Sequence, residues 1–135
     1  MRIGDLARHA RCDVDTIRYY ERAGLMPGPA RSTNNYRLYS RAHLERLLFI
    51  RHCRALDITQ REIRVLLALR ETPQASCVEA NRILDKHLRD VSARVDQLRW
   101  LEQQLKALRQ RCPTARKAQR CAILSHLASQ ISTPL

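Results

Sequence analysis

Glycine and proline are scarce in this chain, 3 and 5 among 135 residues. Residues 74 to 112 contain neither, whereas Gly24, Pro27, Gly28 and Pro29 fall within six positions. A mostly helical chain with one local interruption follows. Only six side chains are aromatic, and the length suits one small domain or a domain with an appendage. Apolar runs are short as well: Leu47 to Ile50 and Val65 to Leu69 fall far below the roughly 18 to 20 residues of a membrane span. The acid at Asp5 interrupts any apolar leader, so the chain is expected in the cytoplasm with reduced thiols and no membrane partner. Acidic residues are few, 13 against 25 basic ones, for a formal charge of +12. Lysine supplies 3 of the 25, and the other 22 are Arg, whose planar fork suits phosphate. A polyanion is therefore the first partner to consider. No Cys-x-x-Cys pair and no phosphate loop is present, which argues against an enzyme.

Ile3, Leu6, Ala7 and Ala10 have helical spacing, and Asp13 or Asp15 can cap a second helix through Arg22 that ends at Ala23-Gly24. Joined at Ala10-Arg11-Cys12, the two have the size of a helix-turn-helix. Residues 24 to 39 then read as a small β-hairpin wing with Asn34-Asn35 near its turn. Ser40 caps a third helix, with Leu44, Leu47, Leu48 and Cys53 expected toward the core, and Thr59-x-x-Glu62 opens a fourth as a capping box. Ser76-Cys77-Val78-Glu79 offers a second such box at the start of a long helix.

That helix, from about 77 to 111, carries Leu84, Leu88, Val91, Val95, Leu98, Leu101, Leu105 and Leu108 at alternating intervals of 4 and 3 with one irregularity. Such a stripe is not left in water, so a partner helix is expected, most simply from a second copy. The expected organisation is a winged helix-turn-helix domain at 1–72, a hinge and dimerisation helix at 73–111, and a loop with a short helix at 112–135.

Residues 1 to 56 hold 11 Arg against 5 acids, with Arg18, Arg22, Arg31, Arg37 and Arg54 on the second helix, the wing and the helix behind it. Tyr and Asn are interleaved among them, as a surface that grips phosphate and enters a groove requires. Adjacent Tyr19 and Tyr20 point about 100° apart on a helix, so one is expected in the core and the other outside.

Ile3-Gly4-Asp5-Leu6-Ala7, the run Thr16 to Arg22 followed by Gly24-Leu25, and Asn35-Tyr36-Arg37-Leu38-Tyr39 together resemble the amino-terminal signature of MerR-family transcription regulators. The long helix and short tail complete the family plan, so the resemblance covers essentially the whole chain. It implies a mainly α homodimer of winged helix-turn-helix domains joined by an antiparallel coiled coil and bound to promoter double-stranded DNA. It further implies activation by distortion of that DNA, which brings the promoter elements into register for RNA polymerase, an indirect partner. The family's DNA contacts carry over to Arg18 and Tyr19 on the second helix, to Arg31, Tyr36 and Arg37 on the wing, and to Arg54.

In an antiparallel pair the start of one long helix lies beside the end of the other. Cys77 of one subunit can then meet Cys112 and Cys121 of the other, although Cys77 and Cys112 of one chain are roughly 50 Å apart. Three thiolates and one divalent ion leave a charge of −1, which favours a soft divalent ion over a monovalent one. A helix start at Cys77, and Arg111, Arg116, Lys117 and Arg120 around the other two, are expected to favour thiolates. His87 and Glu62 are candidate accessory ligands, while Cys12 and Cys53 suit core packing. Within the family the cysteine pattern and the run Arg51 to Asp57 resemble the cadmium- and lead-responsive branch. The effector implied is Cd(II) or Pb(II), with Hg(II) or Zn(II) as the alternative. A metal-blind architectural DNA binder and a thiol oxidoreductase using Cys112 and Cys121 are the readings from other classes.

Overall fold

The computed structural model describes residues 1–31 and 37–129, and for residues 30, 31 and 37 the backbone alone. Asn34, Asn35 and Tyr36 lie outside the described residues. The elements run α1 (Ile3–Ala10), α2 (Val14–Arg22), β1 (Ala30–Arg31), β2 (Arg37–Leu38), α3 (Arg41–Ala55), α4 (Gln60–Arg70), α5 (Val78–Gln110), a 3-10 turn (Ala118–Arg120) and α6 (Ala122–Ser129). They fall into two compact units, Met1–Asp85 and Lys86–Leu135. No helix among the described residues is long and apolar enough to cross a membrane.

In the first unit α1 packs on α2 and α3, and α3 packs on α4. Asp5 accepts from the Arg2 backbone N–H and pairs with Arg8, closing the first turn of α1, and Arg11 in the left-handed region (φ 53°) ends that helix. Asp13, extended, precedes α2 as its N-cap. Gly24 at φ 78° turns the chain out of α2, a conformation that favours a residue without Cβ. Leu25 and Met26 then drop into the core, and Arg46 Nε (2.7 Å) and Arg64 Nη2 (2.6 Å) donate to the carbonyls of Leu25 and Ala23 to hold that exit. Ser40 caps α3, and Thr59 forms the anticipated box with Glu62, the Thr59 N–H donating to the Glu62 carboxylate at 2.9 Å.

Leu6, Ile17, Leu25, Leu47, Ile50 and Ile63 are fully enclosed, each worth about 1.5 to 3 kcal/mol of apolar transfer. On α3 the inward positions are Leu47, Ile50 and Cys53, with Leu44 packed at the margin. Leu48, expected inside, is 45% exposed: it lies about 100° round the helix from the fully buried Leu47. Cys53 is buried and Cys12 packs against the core, in keeping with a packing role for both. The short pairing of β1 with β2 is antiparallel, with Ala30 opposite Leu38 and Arg31 opposite Arg37. It supplies the wing.

The start of α5 differs from the capping box expected there. Ser76 Oγ accepts from the Val78 N–H at 3.3 Å, two residues on, and the Glu79 carboxylate turns instead to Arg82 Nη1 at 2.7 Å. Cys77 stands just ahead of the helix, and its carbonyl accepts from the Asn81 N–H. Along α5 the apolar stripe is open to solvent in the single chain: Leu88, Leu98 and Leu105 are 62, 63 and 58% exposed.

Candidate nucleic-acid interface and metal centre

The exposed face of α2 is built by its period. Ile17 and Tyr20 turn inward, which leaves Arg18 and Arg22, four residues apart, on one outward face. The two tyrosines divide as their spacing requires: Tyr20 is 8% exposed and Tyr19 47%. Tyr19 is held from a distance in sequence, since Gln60 Nε2 at the start of α4 donates to its hydroxyl at 2.6 Å. Its hydroxyl proton stays available to an acceptor outside. The wing is tied to the same unit at Tyr39, whose N–H donates to the Met1 carbonyl at 2.7 Å and whose hydroxyl donates to Glu21 Oε1 at 2.5 Å. Arg31 and Arg37 are cross-strand partners at the wing base. Arg54 has a structural bond, Nη1 to the Ile58 carbonyl at 2.7 Å, which braces the turn between α3 and α4 and leaves further guanidinium donors on an exposed residue.

The second unit carries the thiol pair. Arg109 Nη1 donates to the Cys112 carbonyl at 2.6 Å and fixes the point where the chain leaves α5. The 3-10 turn then brings Cys121 back, as the N-cap residue of α6, where its carbonyl accepts from the Ser125 N–H. The Cys112 thiol has two acceptors within reach, the Thr114 carbonyl at 3.2 Å and the Cys121 sulfur. Partial burial and the Cys121 contact push the Cys112 thiol above its ordinary range, against the weaker opposing fields of Arg116 and Arg109. Cys121 moves the other way: the Leu124 and Ile123 backbone N–H groups and the Cys112 thiol favour its thiolate.

This corrects the expectation that the surrounding Arg and Lys side chains hold both sulfurs ionised. The open backbone donors of a helix start act on Cys121, whereas the basic groups act on Cys112 alone and are outweighed there. Two adjacent sulfurs, one predisposed to be a thiolate, fit two ligands of a thiophilic ion. Cys77, exposed, and His87, half-buried, stand elsewhere on the chain, and the Glu62 carboxylate is engaged in the α4 cap. Among the described residues no three His, Cys, Asp or Glu side chains gather into a metal-holding group.

Sequence reasoning missed Gln60 and Arg109. Gln60 is 41 positions from the tyrosine it holds, and nothing local distinguishes it from a solvated glutamine.

Residues 1–69 match the model of the MerR HTH family regulatory proteins, and residues 44–108 that described as MerR, DNA binding. The chain is 46% identical over 82% of its length to the ZntR homolog of Haemophilus influenzae, an HTH-type transcriptional regulator covered to 82%. It is 35% identical to the mercuric resistance operon regulatory protein of Bacillus cereus, over 93% of this chain and 96% of that one. Among solved structures, the transcription regulator PbrR691 of Ralstonia metallidurans CH34 in complex with lead(II) superposes with a TM-score of 0.76 at 50% identity, over 94% of this chain and 98% of that one. With a winged helix-turn-helix, a long helix and a terminal thiol pair already in place, these matches show that the chain belongs to the MerR family of helix-turn-helix transcriptional regulators.

Proposed function

We propose that the chain is a metal-dependent transcriptional activator that binds promoter DNA as a homodimer and answers a soft divalent ion, Cd(II) or Pb(II). The observation that carries the reading is the convergence of Cys112 and Cys121 at the start of α6, one of them favoured as thiolate. The exposed stripe of α5 supports the dimer, because an apolar seam of this regularity needs a second helix. In an antiparallel pair Cys77 completes the donor set with the partner's Cys112 and the partner's Cys121, and the site occurs twice. His87 and Glu62 are accessory candidates.

On the DNA side, Arg18 and Tyr19 read or grip the groove from α2, Arg31, Tyr36 and Arg37 grip phosphates from the wing, and Arg54 adds a contact from α3. Filling three thiolate positions ties the end of one long helix to the start of the other, which is how metal binding reaches the two wings and distorts the DNA between them. Lead is supported by the 50% identity to a regulator solved with lead(II), while the ZntR and mercuric relatives keep Zn(II) and Hg(II) as the alternative.

The deciding experiment is transcription in vitro from the cognate promoter with lead, cadmium, mercury, zinc and copper(I) supplied separately. Activation by lead or cadmium, lost in Cys112→Ser, is the expected result. Equal transcription with and without every metal overturns the proposal in favour of a metal-blind architectural binder.

A further inference from the structure

Three basic side chains, Arg116, Lys117 and Arg120, fall in the eight residues between Cys112 and Cys121. Arg116, Lys117, Gln119 and Arg120 line a concavity of about 380 Å³ beside the 3-10 turn. All four are exposed, and no acidic residue occurs after Glu102, so the site has no internal counterion in sequence. Its volume falls at the lower end of the roughly 300 to 1,000 Å³ of small-ligand clefts. The hollow belongs to the loop between the thiols: all four lining residues fall between Cys112 and Cys121, and Arg120 is the residue before Cys121. A cationic wall is a poor entrance for a free divalent cation, since like charges repel on approach. It is a good entrance for an anion.

We propose that Arg116, Lys117 and Arg120 form a receptor for a small polycarboxylate, so that the metal arrives at Cys112 and Cys121 as an anionic carboxylate chelate and not as the free cation. The proposal rests on the thiol-centred metal site proposed above. The guanidinium forks take carboxylate oxygens bidentately and Lys117 adds a point charge, while Gln119 can donate through its amide. Transfer is a redox-neutral exchange. Metal–oxygen bonds to the carrier break as metal–sulfur bonds form, the proton of each thiol that becomes a ligand passes to the departing carboxylate or to solvent, and the carrier leaves the receptor.

The test uses the full-length protein and the triple variant Arg116→Gln, Lys117→Gln, Arg120→Gln, whose changes are at exposed positions. Calorimetry with citrate and the metal-free protein reads the receptor alone, and the variant is expected to bind citrate at least about 10-fold more weakly. Stopped-flow growth of the thiolate-to-metal absorbance then compares lead(II) given as its citrate chelate with lead(II) given as the aqua ion. Uptake from the chelate should slow by about 10-fold or more in the variant and lose its advantage at high salt, while uptake from the aqua ion is unchanged or faster. Arg116→Lys with Arg120→Lys, which keeps the charge, should retain most of the chelate rate.

Citrate binding that is absent, equal in both proteins or matched by inorganic phosphate overturns the receptor. So does equal slowing of both lead sources. If neither protein develops the metal absorbance, the metal-centre reading fails, and the citrate calorimetry still decides the receptor separately.

Discussion

The Cys112 thiol lies against the Cys121 sulfur, and the two acidities differ: partial burial chiefly raises Cys112, the Leu124 N–H chiefly lowers Cys121, and the contact adds to both shifts. For Cys121 the folded value is lowered, so its contribution to stability is present above the ordinary thiol range and is lost as pH falls through the lowered value. Cys112, raised, contributes below the ordinary thiol range and loses that contribution as pH rises through the raised value. Alkylation of the metal-free protein, read at Cys112 and Cys121 by peptide mass mapping against pH, should show Cys121 modified at lower pH than Cys112. Cys112→Ser keeps a hydroxyl donor beside Cys121 and should retain the early step, whereas Cys112→Ala, which removes the donor, should shift it slightly upward. Modification of the two sites over the same pH range would contradict the assignment.

Mixed dimers separate a shared site from one built within a chain. Cys77→Ser combined with a chain carrying Cys112→Ser and Cys121→Ser leaves one complete set of three thiols if the donors come from both subunits, and none if they come from one. The expected stoichiometry, read by the thiolate-to-metal absorbance, is half that of the unmodified dimer, with no tight binding in either parent homodimer.

The seam of α5 can be tested by charge. Leu98 is 63% exposed in the single chain. Leu98→Glu should shift the protein toward monomer in sedimentation velocity, since a carboxylate taken out of water without a partner costs several kcal/mol. A dimer unaffected by this change would place the interface elsewhere.

At the DNA face, Arg18→Ala should weaken operator binding by about 1 to 3 kcal/mol and, if Arg18 grips a phosphate, lower the slope of log K against log salt by about one. Metal affinity should not change. Gln60→Ala should weaken binding less, because it only frees the Tyr19 ring, and Tyr19→Phe should make the further Gln60 change silent in a double-mutant cycle.

Gly24→Ala introduces a Cβ into open space, so its cost is that of the positive φ alone, about 1 to 2 kcal/mol. Gly28→Ala, with open space and no positive φ, is the matched control and should stay within about 0.5 kcal/mol in urea unfolding.

Periodicity and caps carried most of the helices into view from the sequence. The α2 boundaries, the Thr59 box and the long helix all rest on residues within four positions of one another, the range over which a helix is specified. Leu48 and the Ser76 box differ from their expected places for two separate reasons, one long-range and one local. Which of two adjacent leucines faces inward depends on where the neighbouring helices lie, and Glu79 has two local partners to choose between, of which the structure shows Arg82.

What the amino-acid sequence determined by itself is therefore the helical plan, the wing and the identity of the thiols, together with the excess of Arg. Tertiary structure decided which groups act on one another. It set Gln60 against Tyr19 across 41 residues, and it assigned the ionisation of Cys121 to the open N–H groups of α6. The surrounding basic side chains, which composition alone had linked to both sulfurs, do not ionise Cys121. The physical reason is that hydrogen bonds act only within about 3 Å and screened fields within about 10 Å, so their balance is set by fold geometry that no count of charges contains.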